Sequence, residues 1–277
     1  MDGNTTGRSA QGRGTDLMQD NYAGDVGDFG KFGLLQYLLL EKKLANRLGV
    51  VWYFFDPGET ASKDGRHVDF YKKDPALCNC NAPLAELLRT RVLPNRTVNA
   101  IQAAGIFPRG TEYFRDDVNV ASRFHGTGPR IKEARLQARE EWVEAATQKV
   151  QSCDLVFLDP DNGLESPSCG SKNLKDAGKY VYLDEVRKFK SQAPVVVLYH
   201  HLHHSASHPD QITSVQKRLA AEIGSAGSVF GLRFWRYSPR AFFVICSRNL
   251  EASTRSALAT FMTSQWKNHW DHFTQPD

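Results

Sequence analysis

The segment Asp154–Glu165, DLVFLDPDNGLE, places three carboxylates and an amide in one short stretch behind an apolar run. Asp159, Asp161, Asn162 and Glu165 share that stretch, Pro160 stiffens it and Gly163 permits a tight turn. Like charges this close are costly unless a ligand or a cation uses them, so the loop is a candidate site as well as an ordinary turn. A carboxylate there could stabilise a developing positive charge or orient water.

A second cluster is VVVLYHHLHHSASHP, residues 195–209. Five of the nine histidines lie in it, and His200 and His201 stand nearest its apolar start. Imidazoles donate, accept or bind metal near neutral pH. Their spacing matches no zinc template, so no metal is expected. A third segment, NYAGDVGDFGKFGLL, sets Asn21, Tyr22, Asp25, Asp28 and Lys31 among four glycines ahead of a helix. Such an entry could hold a phosphate or line a pocket, and Asp28 could equally be a helix cap. Arg233, Phe234, Trp235, Arg236, Tyr237 and Arg240 interleave cations with aromatics, which suits phosphates and stacked bases.

Elements must carry these groups. Residues 48–55, 154–158 and 194–199 are continuous apolar runs, the pattern of buried parallel strands. Between and around them, residues 30–48, 82–93, 130–150, 179–190 and 209–223 read as helices. Residues 59–81 read as a loop or insertion. Near the end, residues 229–237 and 240–247 form a hairpin pattern about Ser238-Pro239, and 251–270 reads as a closing helix. The expected fold is α/β, a mainly parallel Rossmann-like sheet with helices on both faces and a C-terminal antiparallel hairpin at its edge. Ligands in such sheets bind beyond the carboxyl ends of the strands, where the Asp159 and His200 segments begin. Residues 1–19 read as a disordered tail, and 20–277 as a single catalytic domain.

Composition bounds the rest. The 277 residues are 41% hydrophobic and 24% charged, ordinary for a globular chain. No apolar run reaches the roughly 20 residues needed to cross a bilayer. The first residues lack an apolar secretion signal, and the five cysteines form no CxxC pair, so a cytoplasmic protein without a disulfide framework is expected. A net charge of +4 permits a nucleic-acid partner without demanding one. No obligate protein partner is evident.

Two resemblances follow from these motifs. LDPDNG after a buried strand resembles the DPPY-type motif of adenine N-methyltransferases, although Asp161-Asn162 stands where that motif has its second proline and aromatic. FFDPGE also replaces the glycine-rich adenosylmethionine cradle. The combination of NYxGDxGDFxKxGLL, LDPDNG and a His-rich strand end, over roughly residues 20–250, resembles prokaryotic antiviral DNA glycosylases that excise glucosylated hydroxymethylcytosine from phage DNA. Asp159-Pro160 and the His200–Pro209 run are more distantly reminiscent of the uracil-glycosylase superfamily.

The glycosylase resemblance implies a cofactor-free hydrolase that cleaves the N-glycosidic bond of a modified base in DNA, with antiviral defence as its role. In that reading Asp159 or Asp161 faces the sugar cation and water, Asn162 recognises the base, and His200 or His201 meets the leaving base. Tyr22, Asp25, Asp28, Lys31, Asn21 and Glu165 line the pocket, and Arg233 and Arg236 hold the DNA backbone. The alternatives are an adenosylmethionine-dependent N-methyltransferase and a DNA-binding module whose acidic loop is structural.

Overall fold

The computed structural model describes residues 22–55, 67–166 and 169–276. Asn21 and the expected 1–19 tail lie outside that range, as do residues 59–66 of the expected 59–81 loop. The remainder of that stretch is not a loop but carries the short helices Phe70–Lys73 and Pro75–Cys78, which bury Phe70 and Leu77.

Three of the expected strands form where the apolar runs are. They are β1 (Leu48–Trp52), β3 (Leu155–Asp159) and β6 (Val195–His201), and β2 (Glu112–Phe114) adds a short fourth. These four are parallel in the order β2-β1-β3-β6. The hairpin of β7 (Gly227–Phe234) and β8 (Arg240–Ser247) then joins antiparallel, with β8 beside β6. A pair of two-residue strands, β4 (Gly163–Leu164) and β5 (Tyr180–Val181), forms a separate parallel ribbon.

The sheet does not end at the hairpin. Strand β9 (Trp270–Thr274) pairs with β7 and forms the edge, so the order closes as β6-β8-β7-β9. This corrects the helix expected through residue 270. That helix stops at Thr263, and the Trp266 and Trp270 spacing that suited a helix instead serves a turn followed by a strand. Trp270 packs on Phe234, Phe242 and Phe261, while Asp271 stands opposite Arg233 across the ladder.

Helices cover both faces, and strand alternation divides the core between them. On the first face Phe157, Val197, Tyr199 and Phe242 pack with Phe29, Phe32 and Leu258, from the helices Val26–Gln36 and Glu251–Thr263. On the second, Val156, Leu198 and Phe243 pack with Trp142, Phe189 and Leu219, from Pro129–Val150, Leu183–Gln192 and His208–Ile223. Both the expected α/β class and the helices on both faces are present. No described helix is long and apolar enough to cross a membrane.

The first helix departs from its expected bounds. It starts at Val26 rather than Gly30 and ends in a wide turn, Tyr37–Glu41, before Lys43 takes a left-handed φ of 51°. Glycines at 27, 30 and 33 weaken helix propensity, but packing overrides them. A Cβ at Gly27 would lie 2.5 Å from the Arg240 guanidinium, and at Gly33 2.4 Å from the Trp266 ring. These glycines serve close packing of helix against sheet and the Trp266 turn.

Candidate active site

The carboxyl ends of β1, β3 and β6 meet the start of the Val26–Gln36 helix on the first face. Asp25 caps that helix, accepting from the Asp28 N–H at 3.0 Å. Asp28 is therefore not the cap. Its carboxylate accepts from the Gly24 N–H at 2.8 Å and turns inward toward Lys31, 3.1 Å away. One turn of helix thus aims Asp28 and Lys31 at the same interior spot. Asp159, the last residue of β3, completes it by accepting from the Lys31 Nζ at 2.8 Å.

The Lys31 ammonium is enclosed. The rings of Phe32, Trp52, Phe157 and Tyr199 have centroids 5.6 to 6.0 Å from Nζ. Burial opposes its charge, but Asp159 and Asp28 outweigh burial and hold its pKa above the usual lysine range. Arg240, the first residue of β8, reaches the same network and donates to Asp25 at 3.3 Å. Tyr199 adds a hydroxyl 3.4 Å from the His201 Nδ1. Burial, then the Asp159 and Asp161 carboxylates, raise its pKa against the opposing pull of Arg240 and Lys31.

Three carboxylates here face two cations, so one negative charge is in excess if all are ionised. The excess falls on Asp28. Burial pushes its pKa up to about 6, with Asp25 and Asp159 adding to the rise and Lys31 opposing it. The network thereby takes up a proton on Asp28 as pH falls through about 6, and its charge is balanced only below that pH. The Lys31 ammonium sits between the Asp28 and Asp159 carboxylates. Among the described residues no group of three or more His, Cys, Asp and Glu side chains is arranged to hold a metal ion.

The expected pairing of Asp159 with His200 is not what forms. Successive residues of a strand face opposite sides. Tyr199 and His201 therefore share the face of Asp159, while His200 points to the second face beside Phe243. His200 is 8% exposed, and its Nδ1 accepts from the Leu164 N–H at 3.1 Å, which puts its proton on Nε2. Burial first, then His201, His203 and Arg218 nearby, lower its pKa to about 3, so it stays neutral. Gly163 is fixed by this contact, because its φ is +96° and a Cβ there would lie 2.4 Å from the His200 Nδ1. His200 is a packing residue, and His201 is the histidine on the acid network's side.

Other expected residues divide similarly. Asp161 lies close enough to Tyr199 to act on it electrostatically. Asn162 is tied through its backbone, its N–H donating to the Lys179 carbonyl and its own carbonyl accepting from the His201 N–H. The Tyr22 carbonyl accepts from the Asp25 N–H. Glu165 belongs to the second face, ion-paired with Arg218 at 2.9 Å, and burial raises its pKa to about 7. Arg233 and Arg236 do not present free guanidiniums: Arg233 is bidentate to Asp271, and Arg236 pairs with Asp74. Arg139, on the helix Pro129–Val150, is 1% exposed and bidentate to Glu185.

Sequence reasoning missed Tyr199 as a site residue and grouped Arg240 with the phosphate-binding hairpin instead of the acid network. Tyr199 was detectable, because strand parity puts it on the side of His201. Arg240 was not, since its position depends on β8 lying against β6. No protein-family model matches the chain, and no curated protein matches it in sequence. Its chemistry is therefore read from its own geometry.

Proposed function

We propose that the chain is a hydrolase that cleaves the N-glycosidic bond of a modified base in DNA. The observation that carries this reading is Asp159, anchored by Lys31 beside an Asp28 that titrates near neutral pH, at the ligand-binding end of the sheet. Heterolysis of the C1′–N bond leaves positive charge on the sugar and sends the electron pair to the base. Asp159 faces the sugar cation, as a carboxylate does in glycoside cleavage. Water then adds to C1′ and yields its proton to the acid network, where Asp28 is the group able to exchange one. His201, on the same face, protonates the departing base in place of His200. Asp161 and Asn162 form the adjoining loop and recognise the base. The chemistry uses no group beyond these side chains.

The reading is tested by incubating the protein with DNAs carrying hydroxymethylcytosine, its glucosylated form or uracil, and measuring free base, abasic sites and methylation. Free base with matching abasic sites is expected. Methyl transfer from added adenosylmethionine, or DNA binding with no product, would overturn it.

A further inference from the structure

The turn between β7 and β8, residues 235–239, stands at the same end of the sheet as the acid network and is wired to it. The Ser238 carbonyl accepts from Arg240 Nη1 at 2.9 Å, and Arg240 Nη2 reaches Asp25. This turn exposes two large rings, Trp235 at 39% and Tyr237 at 41%. The Arg236 guanidinium lies 4.8 Å from the Trp235 ring and 6.0 Å from the Tyr237 ring, and its pairing with Asp74 fixes it there. Arg236 thus packs against both partly exposed rings and covers one face of each.

The backbone at the tip is strained. Tyr237 has φ 60°, a left-handed value that a bulky residue seldom adopts. The Ser238 N–H donates to the Arg236 carbonyl at 2.8 Å, closing a three-residue turn of the rarer, strained hand. Glycine would sit there without strain. The Tyr237 ring rests on His67, with ring centroids 5.2 Å apart, and leaves 41% of the residue exposed.

We infer that Trp235 and Tyr237 form a stacking platform for DNA bases exposed next to the active site. The partner is single-stranded or locally opened DNA. Aromatic faces accept any base, and an enzyme that acts on an extruded base must hold its unstacked neighbours. The choice of DNA as partner rests on the proposed function, but the test needs no turnover.

Four of the five tryptophans, Trp52, Trp142, Trp266 and Trp270, are at most 4% exposed. Trp52 stands beside Lys31, so the part of an emission change on adding an oligothymidylate that is lost in Trp235→Phe is the part that reports on Trp235. DNA is expected to quench that emission and shield it from iodide, and Trp235→Phe should abolish the quench. Tyr237→Gly should weaken binding of a labelled oligothymidylate by about fivefold or more, since each stacked base contributes at that scale. Its melting temperature should stay level or rise, because the strain is relieved. Tyr237→Phe should bind like the wild type. Unchanged emission at saturating DNA, or a Tyr237→Gly variant that binds as tightly as the wild type, overturns the platform. If bases are released in the product assay while Tyr237→Gly binds normally, only the platform fails. If no base is released while Tyr237→Gly loses binding, only the glycosylase reading fails.

Discussion

Replacing Asp28 by asparagine should change how stability depends on pH in a way that few other substitutions would. The folded chain holds Asp28 at a pKa of about 6 against an ordinary 3.8, chiefly through burial. A raised carboxylate pKa means that the folded state binds the proton more tightly than the unfolded state. The contribution of Asp28 to stability is therefore complete below about pH 4 and is lost as pH rises through about 6. At about 1.4 kcal/mol per pH unit, the gap between the two values amounts to about 3 kcal/mol. In Asp28→Asn the side-chain amide would keep an oxygen for the Gly24 N–H but has nothing to titrate. It weakens the contact with Lys31 by an amount that changes little with pH. Unfolding by urea, followed at several pH values from about 4 to 7, should therefore show the variant gaining about 2–3 kcal/mol on the wild type as pH rises. The raised pKa of Glu165 acts equally on both proteins and cancels in the difference. A difference that stays flat across this range would refute the charge balance drawn for the network.

Asp159→Asn should lower base release by about 10²–10⁴ and also destabilise the fold by a few kcal/mol, because Lys31 loses its closer carboxylate in a buried setting. Product assay and urea midpoint check the two effects separately. The paired histidines should split: His201→Ala slows base release with little change in melting temperature. His200→Ala costs about 1–3 kcal/mol by orphaning the Leu164 N–H, yet leaves the rate of the folded molecules near wild type. Arg233→Ala should lower the melting temperature by breaking the cross-strand pair with Asp271, and should leave the salt slope of DNA binding unchanged.

Much of the frame was legible because the parallel strands are buried on both faces. LGVVW, LVFL and VVVLY are continuous apolar runs whose ends need no knowledge of their neighbours. Likewise the helix His208–Ile223 has a proline in its first turn, and it begins and ends within a residue of where the sequence puts it. What was not legible is non-local. β2 is three residues long and begins with a glutamate, so it is visible only once β1 lies beside it. β9 follows a helix so closely that its tryptophans extend the helical pattern until a partner strand exists. The arginines of the hairpin looked like a phosphate track because their acids, Asp74 and Asp271, are far away in the chain.

The exchange of His200 for His201 shows the sharpest limit. Both follow the same apolar strand, both are imidazoles, and proximity to the strand end cannot separate them. Strand geometry divides them completely, because one step along β6 moves a side chain from one core to the other. The decision lies with Asp159: its pairing with Lys31 fixes which face carries the acid network, and Tyr199, two residues before His201, marks the side by contacting that histidine. Once that face is known, the roles of the glycines, of Arg240 and of Asp28 follow from one requirement. Two cations and three acids must fit between a helix start and the ends of the central strands β3 and β8 with their charges close to balance. The surplus acid is Asp28, whose pKa burial raises to about 6, so it exchanges a proton close to neutral pH.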